Sequence, residues 1–342
     1  MSAAPAKSRK ELAQESMPWV EKYRPKKVTD VAHQNEVVRV LAKAVETANL
    51  PHLLFYGPPG TGKTSTILAV AKTLYAPEIY KQRVLELNAS DERGIKVVRT
   101  KVKDFASTSV STRAVGGYPC PPYKIIVLDE ADQMTRDAQT ALRRTMEKFS
   151  KVTRFCIVCN YVSRIIQPLS SRCAKFRFQP LETEAMIDRL KYVCEHEEIE
   201  PRDDVMQSLV KCSGGDMRKA ITLLQSAHQY GPEGATPELV VELAAVVPHD
   251  VITDLVNSCL TNNFEAVQLQ VRNVVLLGYP ASQVLSQLSD VIIEDASLNH
   301  ALKGTVCESI AVADDCLCDG ADDFLQLTNV LCTLMKAKSV QR

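Results

Sequence analysis

The chain has 342 residues, 45% hydrophobic and 24% charged, with 41 Lys+Arg set against 41 Asp+Glu. That leaves room for two or three domains with cores of their own and excludes a whole-molecule basic field of the kind that gathers nucleic acid, so any such surface is local. No apolar run approaches the ~20 residues of a membrane span, and the eleven cysteines lack framework spacing, as expected of reduced thiols in cytosol or nucleus.

Residues 1–18 are polar, carry no apolar stretch of the secretory kind, and read as a disordered lead-in ending at Pro18. From 19 to 180, short β-rich runs alternate with helical patterns. The runs are HLLFYG (52–57), RVLELNA (83–89), YKIIVLDE (123–130), TRFCIVCN (153–160) and AKFRFQ (174–179); the helical stretches include 63–74, 92–105 and 135–149. Strands alternating with helices predict a parallel sheet covered on both faces, an α/β domain. The Ser/Thr/Gly/Pro-rich segment 107–122 reads as a surface excursion before the third strand. Beyond 180 strand signals almost vanish. Residues 183–199 and 215–230 read as amphipathic helices, 231–239 as Gly/Pro punctuation, and the rest as a string of helices. The expected division is a lead at 1–18, an α/β domain at 19–180, a small helical domain at 181–235 and an all-helical domain at 236–342.

GPPGTGKT, Gly57 to Thr64, follows a predicted strand and opens a predicted helix. Glycines there let backbone N–H groups turn inward around a phosphate, at a helix N-terminus whose dipole favours anions. The motif assigns Lys63 to the β- and γ-phosphates and the Thr64 hydroxyl to Mg²⁺, with Gly57, Pro58, Pro59, Gly60, Thr61, Gly62 and Ser65 completing the loop. In IIVLDEAD, Ile125 to Asp132, a buried strand delivers two acids at its end. Asp129 is assigned to the metal and Glu130 to the attacking water. Asn160 ends another apolar run, where open α/β sheets bind ligands; alone it also reads as a turn residue.

On the helix expected after Asp91, Arg93, Lys96, Arg99, Thr100 and Lys103 fall on one third of the circumference, opposite Ile95, Val98, Val102 and Phe105. Such a stripe can track phosphates without reading bases, or serve as a solvated face. Arg93 is also a candidate ion-pair partner for Glu130, an arrangement that would gate hydrolysis. Other features carry no chemistry. Cys156 and Cys159 lie three apart in a strand, on opposite faces, with no second pair at zinc spacing. No two histidines form a metal pair, and Trp19 reads as a docking anchor or as local packing.

Several motifs together resemble the AAA+ ATPases and, more narrowly, the small subunits of the eukaryotic clamp loader, replication factor C. They are WVEKYRPK (19–26), GPPGTGKTS, LELNASDERGI (85–95), LDEADQMT (128–135), LRRTMEKF (142–149), CNYVSRII (159–166), SSRC (170–173) and GGDMRKAI (214–221). The segment NYVSRIIQPLSSRCAKFRF looks most like the branch numbered 4 in human and 2 in budding yeast. The resemblance implies an AAA+ P-loop domain, a helical lid and a C-terminal helical collar. It implies that Val20 and Arg24 lie against ATP, that Asn160 is sensor 1 and Arg218 sensor 2, and that Arg172 is an arginine finger acting in trans. It also implies DNA-backbone contacts by Arg93, Arg99 and Arg164, and a clamp contact along Asp104–Ser111. Read without it, Arg172 is a surface arginine and Arg218 a salt-bridge partner. The implied cofactors are ATP and Mg²⁺. The implied partners are the other replication factor C subunits in a hetero-pentamer, the sliding clamp (PCNA) and primer–template DNA, in the nucleus. The alternatives are another AAA+ DNA motor, such as a branch-migration helicase, and a nucleotide-binding scaffold that does not turn over.

Overall fold

Five runs of mostly apolar residues pair side by side into one parallel sheet in the computed structural model. It describes residues 17–25, 27, 35–47, 49–89, 98–108, 117–200, 202–230, 236–296 and 298–340. The strands are β1 (Leu53–Tyr56), β2 (Val84–Asn88), β3 (Lys124–Asp129), β4 (Thr153–Cys159) and β5 (Ala174–Arg177), in the order β2-β3-β4-β1-β5. β1 therefore sits between β4 and β5, with Leu53 opposite both Cys156 and Ala174. Each strand lies within the segment its pattern marked, shortened by up to two residues at an end, the usual uncertainty of boundaries.

Alternation along the strands supplies both faces of the sheet. Ile125, Val127, Cys156 and Val158 point into one core with Phe55, Ile67 and Leu74; Ile126, Leu128, Phe155, Ile157 and Cys159 point into the other with Leu142 and Met146. Cys156 and Cys159 thus lie on opposite faces. Burial raises both thiol pKa values, that of Cys159 to about 12, and all eleven cysteines are unpaired. At ~1.5–3 kcal/mol for each fully buried aliphatic side chain, these two layers dominate the domain's stability.

The helices that matter for the site are the single turn α1 (Trp19–Lys22), then α2 (Asn35–Glu46), α3 (Lys63–Leu74) and α4 (Pro77–Arg83). After them come a π-helical turn at Val98–Val102, α5 (Lys103–Ser107), α6 (Arg136–Phe149) and α7 (Gln167–Ser170). Most of the basic stripe, Arg93 and Lys96 included, lies outside the described residues, as does the Arg99 side chain, so the expected 92–105 helix is seen only from Val98. The Arg93–Glu130 pairing falls outside them too. Thr135 caps α6 by accepting a hydrogen bond from Ala138 N at 3.3 Å.

α8 (Thr183–His196), α9 (Asp203–Ser213) and α10 (Met217–Tyr230) follow. α9 is a helix the sequence pattern had not marked out; Val205, Met206, Leu209 and Val210 bury its apolar side. By contacts the chain divides into a unit ending at Glu233 and a second unit from Gly234 to Arg342. The second is built of α11 (Pro237–Leu243), α12 (His249–Leu260), α13 (Phe264–Leu276), α14 (Ala281–Glu294), α15 (His300–Cys318) and α16 (Asp323–Val340) around its own core, including Leu255, Val271, Leu288 and Leu331. No helix among the described residues is long and apolar enough to cross a membrane.

Candidate functional site

β1 ends at Tyr56 and the chain turns through Gly57–Gly62 into α3. Two glycines are dictated by space as well as by backbone angle. A Cβ on Gly57 (φ +146°) would stand 2.1 Å from Phe178 O, and one on Gly60 (φ +70°) would stand 1.8 Å from Asp216 Oδ1. Gly62 is left-handed at the N-cap of α3, and Thr61 closes the loop by donating to Pro58 O at 3.0 Å. Pro58 and Pro59 are exposed and Ser65 is half-buried.

Lys63 is 7% exposed. Its Nζ donates to Gly57 O at 2.8 Å, Pro58 O at 2.7 Å and Asn160 Oδ1 at 2.9 Å. Burial, reinforced by the neighbouring Arg218 charge, lowers its pKa, while Asp129 and Asp132 pull the other way. The Thr64 hydroxyl donates to Asp129 Oδ2 at 2.8 Å, and Asp129 Oδ1 accepts from Glu130 N at 3.0 Å. Glu130 is exposed and left-handed, φ 51°, a backbone setting that non-glycine residues rarely adopt and that clusters at functional sites. Lys63, Thr64, Asp129, Glu130, Asn160 and Arg218 all line one cleft with Gly60 and Gly62.

A second, more apolar hollow adjoins it. Val20, Tyr23, Arg24 and Pro25 form one wall, Gly60–Gly62 and Ser65 another, and Leu181, Met217, Arg218 and Ile221 a third. Gly60, Gly62 and Arg218 border both spaces. Arg218 stands in the first turn of α10, whose start is capped by Asp216: Oδ1 accepts from Arg218 N at 2.8 Å and Lys219 N at 3.4 Å.

Three polar side chains that bear on the site were not among the sequence candidates. Asp132, 8% exposed, accepts from the backbone N–H of Asn160 and of Tyr161, both at 3.3 Å, and so fixes the turn from which Asn160 reaches Lys63. Gln139 is buried in α6. It donates to Arg164 O at 3.0 Å and accepts from Ile166 N at 2.8 Å, holding the Val162–Arg164 turn. Asp216 abuts the loop at Gly60. One signal was available: Gln139 occupies the same helical face as Leu142 and Met146, where a polar residue needs a buried partner.

The remaining predicted residues lie elsewhere. Arg172 borders neither space; it is exposed after α7, bonded to Pro168 O at 2.6 Å and paired with Glu147, which also faces Arg143 at 3.7 Å. Arg164 is exposed, its guanidinium 5.3 Å from the Tyr161 ring centre. Arg24, by contrast, stands in the wall of the hollow, where it pairs with Glu21 at 3.3 Å. Of Asp104–Ser111, the last three residues lie outside the described ones.

Comparison with known proteins fits this arrangement. Residues 53–181 match the model of the ATPase family associated with various cellular activities, 188–228 that of the RCF1/5-like AAA+ ATPase lid domain, and 247–333 that of the replication factor C C-terminal domain. Replication factor C subunit 2 of rice is 53% identical over 95% of this chain and 96% of its own length. Replication factor C subunit 4 of Homo sapiens is 52% identical over 94% of this chain and 89% of its own. Among solved structures, the RuvB Holliday junction branch migration motor of Thermotoga maritima superposes with a TM-score of 0.51 at 18% identity, over 68% of this chain and 78% of that one, which speaks for the fold alone.

Proposed function

The chain belongs to the replication factor C family and carries its AAA ATPase, lid and C-terminal domains, and we propose that it is an ATP-driven subunit of a clamp loader. It works inside a hetero-pentamer of replication factor C subunits in the nucleus. There it helps to open the sliding clamp (PCNA) and to load it onto primer–template DNA.

The cleft fits a nucleoside triphosphate. Lys63 puts a cation in the cleft at the start of α3, where the helix dipole adds to its field. Arg218 adds a second cation at the border with the hollow, and the apolar wall at Val20, Met217 and Ile221 suits the base. Thr64 and Asp129 present hard oxygen donors 2.8 Å apart, the chemistry Mg²⁺ prefers. They would hold that ion, which neutralises phosphate charge when bound. Glu130 orients the attacking water and takes its proton, and Asn160 positions the terminal phosphate.

One observation carries the assembly part of this reading. Lys63, Thr64, Asp129, Glu130, Asn160 and Arg218 border a single cleft, and Arg172 does not. A guanidinium at the transferring phosphoryl group is worth roughly 10³–10⁵ in rate in related enzymes. We assign Arg172 to the site of a neighbouring subunit, so hydrolysis waits on correct assembly. Arg93, Lys96, Arg99 and Arg164 supply DNA-backbone contacts, which makes DNA affinity fall steeply with salt.

Affinity purification of the tagged chain from nuclear extract tests the reading. The expected yield is four companion ATPase-like subunits and a trimeric clamp, with ATPase activity that rises on adding primed DNA and collapses in Arg172→Ala. Homo-oligomers that migrate DNA junctions without companions would support the branch-migration alternative and refute this one.

A further inference from the structure

The segment Pro18–Pro25 meets two neighbours, the lid helices and the hollow beside the P-loop, and Tyr23 borders both. Trp19 and Tyr23, four apart on one side of the α1 turn, are 7% and 8% exposed. Val20 and Arg24, the next residue in each case, line the hollow beside the P-loop. The buried pair is held by the lid helices. Trp19 N donates to Gln225 Oε1 at 3.1 Å, and its ring lies 5.5 Å from that of His228 on α10. Arg189 of α8 donates to Tyr23 O at 2.6 Å, and Tyr192 and His196 meet the Tyr23 ring edge-on. At the end of α8 a single carboxylate oxygen, Glu197 Oε1, accepts from both Lys22 Nζ and the Tyr23 hydroxyl, each at 2.5 Å.

We infer that Glu197 is a positioning residue for the base side of the nucleotide site: through Lys22 and Tyr23 it fastens the Pro18–Pro25 strap to the lid, so Val20 and Arg24 stand where α8 and α10 put them. The inference rests on the nucleotide reading above. Glu197 is suited to the task because it answers two donors at once, and a charged acceptor makes the stronger kind of hydrogen bond. Its carboxylate is half-buried, at 17% exposure, and Lys22 at 25%, so the pair is less screened than one on open surface. The strap's turn packs on α10, the helix that also carries Arg218. The wall that meets the base and the guanidinium that meets the phosphates are therefore both mounted on the lid helices.

The test uses the full chain and three ligands: ATP, CTP and inorganic tripolyphosphate, each competing with a fluorescent ATP analogue. In Glu197→Ala the ATP dissociation constant should rise about tenfold and the ATP-over-CTP preference should shrink, while tripolyphosphate, which has no base, binds within about twofold of wild type. Tyr23→Phe keeps the ring and loses only the hydroxyl, and should cost about threefold. Combined with Glu197→Ala it should add nothing further, since both remove one interaction. Unchanged ATP binding in Glu197→Ala overturns the inference. So does an equal loss for ATP and tripolyphosphate, which marks a general folding defect. Lys63→Ala is the control for the underlying reading: it should lose all three ligands, and ATP binding retained there counts against the nucleotide site itself.

Discussion

Replacing Gln139 with leucine keeps the volume of the side chain and removes its hydrogen bonds. Gln139 is 1% exposed; its amide donates to Arg164 O at 3.0 Å and Met134 O at 3.3 Å, and its carbonyl accepts from Ile166 N at 2.8 Å. After the substitution the Ile166 N–H and Arg164 C=O lose their partner, and an unsatisfied buried group costs about 1–3 kcal/mol. Counting these two groups and leaving aside the longer contact to Met134 O gives a loss of roughly 2–6 kcal/mol, offset by about 1 kcal/mol from the added apolar burial. A net ~3 kcal/mol lowers the melting temperature of a unit this size by roughly 6–12 °C. Circular-dichroism melting reads the shift, and hydrogen exchange at the Ile166 amide should speed up beyond the global change. A leucine variant that melts within about 2 °C of wild type, with Ile166 still protected, refutes the claim that this side chain holds the Arg164 turn.

His52 sets a pH dependence. Its Nδ1 accepts from Phe155 N at 3.1 Å, and burial together with the nearby Arg154 charge holds its pKa at about 4. The unfolded imidazole takes a proton near pH 6.5 and the folded one refuses it, so this contribution is intact above about 6.5 and falls as pH drops toward 4. The loss is about 2 kcal/mol between pH 7 and pH 5, and His52→Asn should melt with a visibly flatter pH profile over that range; identical profiles would rule the effect out. Asp132→Ala frees the Asn160 turn. In the assembled complex, kcat should fall at least about tenfold while ATP affinity stays within a few-fold, and a loss confined to KM would contradict the positioning role. Glu147→Ala breaks an exposed ion pair worth at most about 1 kcal/mol, so melting should move by less than about 4 °C. A larger drop would show that Glu147 does more than pair with Arg172.

Local features of the sheet domain were legible because they are written in adjacent residues. IIVL must be buried on both faces, and GPPGTGKT between a strand and a helix has one dominant use. The strand order was not legible, since nothing in HLLFY states that its neighbours come from TRFCIVC and AKFR. The missed side chains share a property. Asp132, Gln139 and Glu197 are polar residues with partners across the fold, Glu197 being 175 positions from Lys22, and Asp216, though it caps its own helix, bears on the site only through distant Gly60. Their meaning exists only after the chain has closed. Trp19 was ambiguous for the same reason: its partner ring at His228 belongs to a helix two hundred residues later.

The placement of β1 between β4 and β5 has a consequence for biosynthesis. A ribosome delivers HLLFYGPPGTGKT early, yet both hydrogen-bonding neighbours of that strand emerge roughly a hundred residues later. At about 5–20 residues per second the nascent strand waits many seconds with both edges bare. Chains that terminate within that interval retain the whole phosphate-binding signature but have nothing to pair it with, and become substrates for chaperones and proteases.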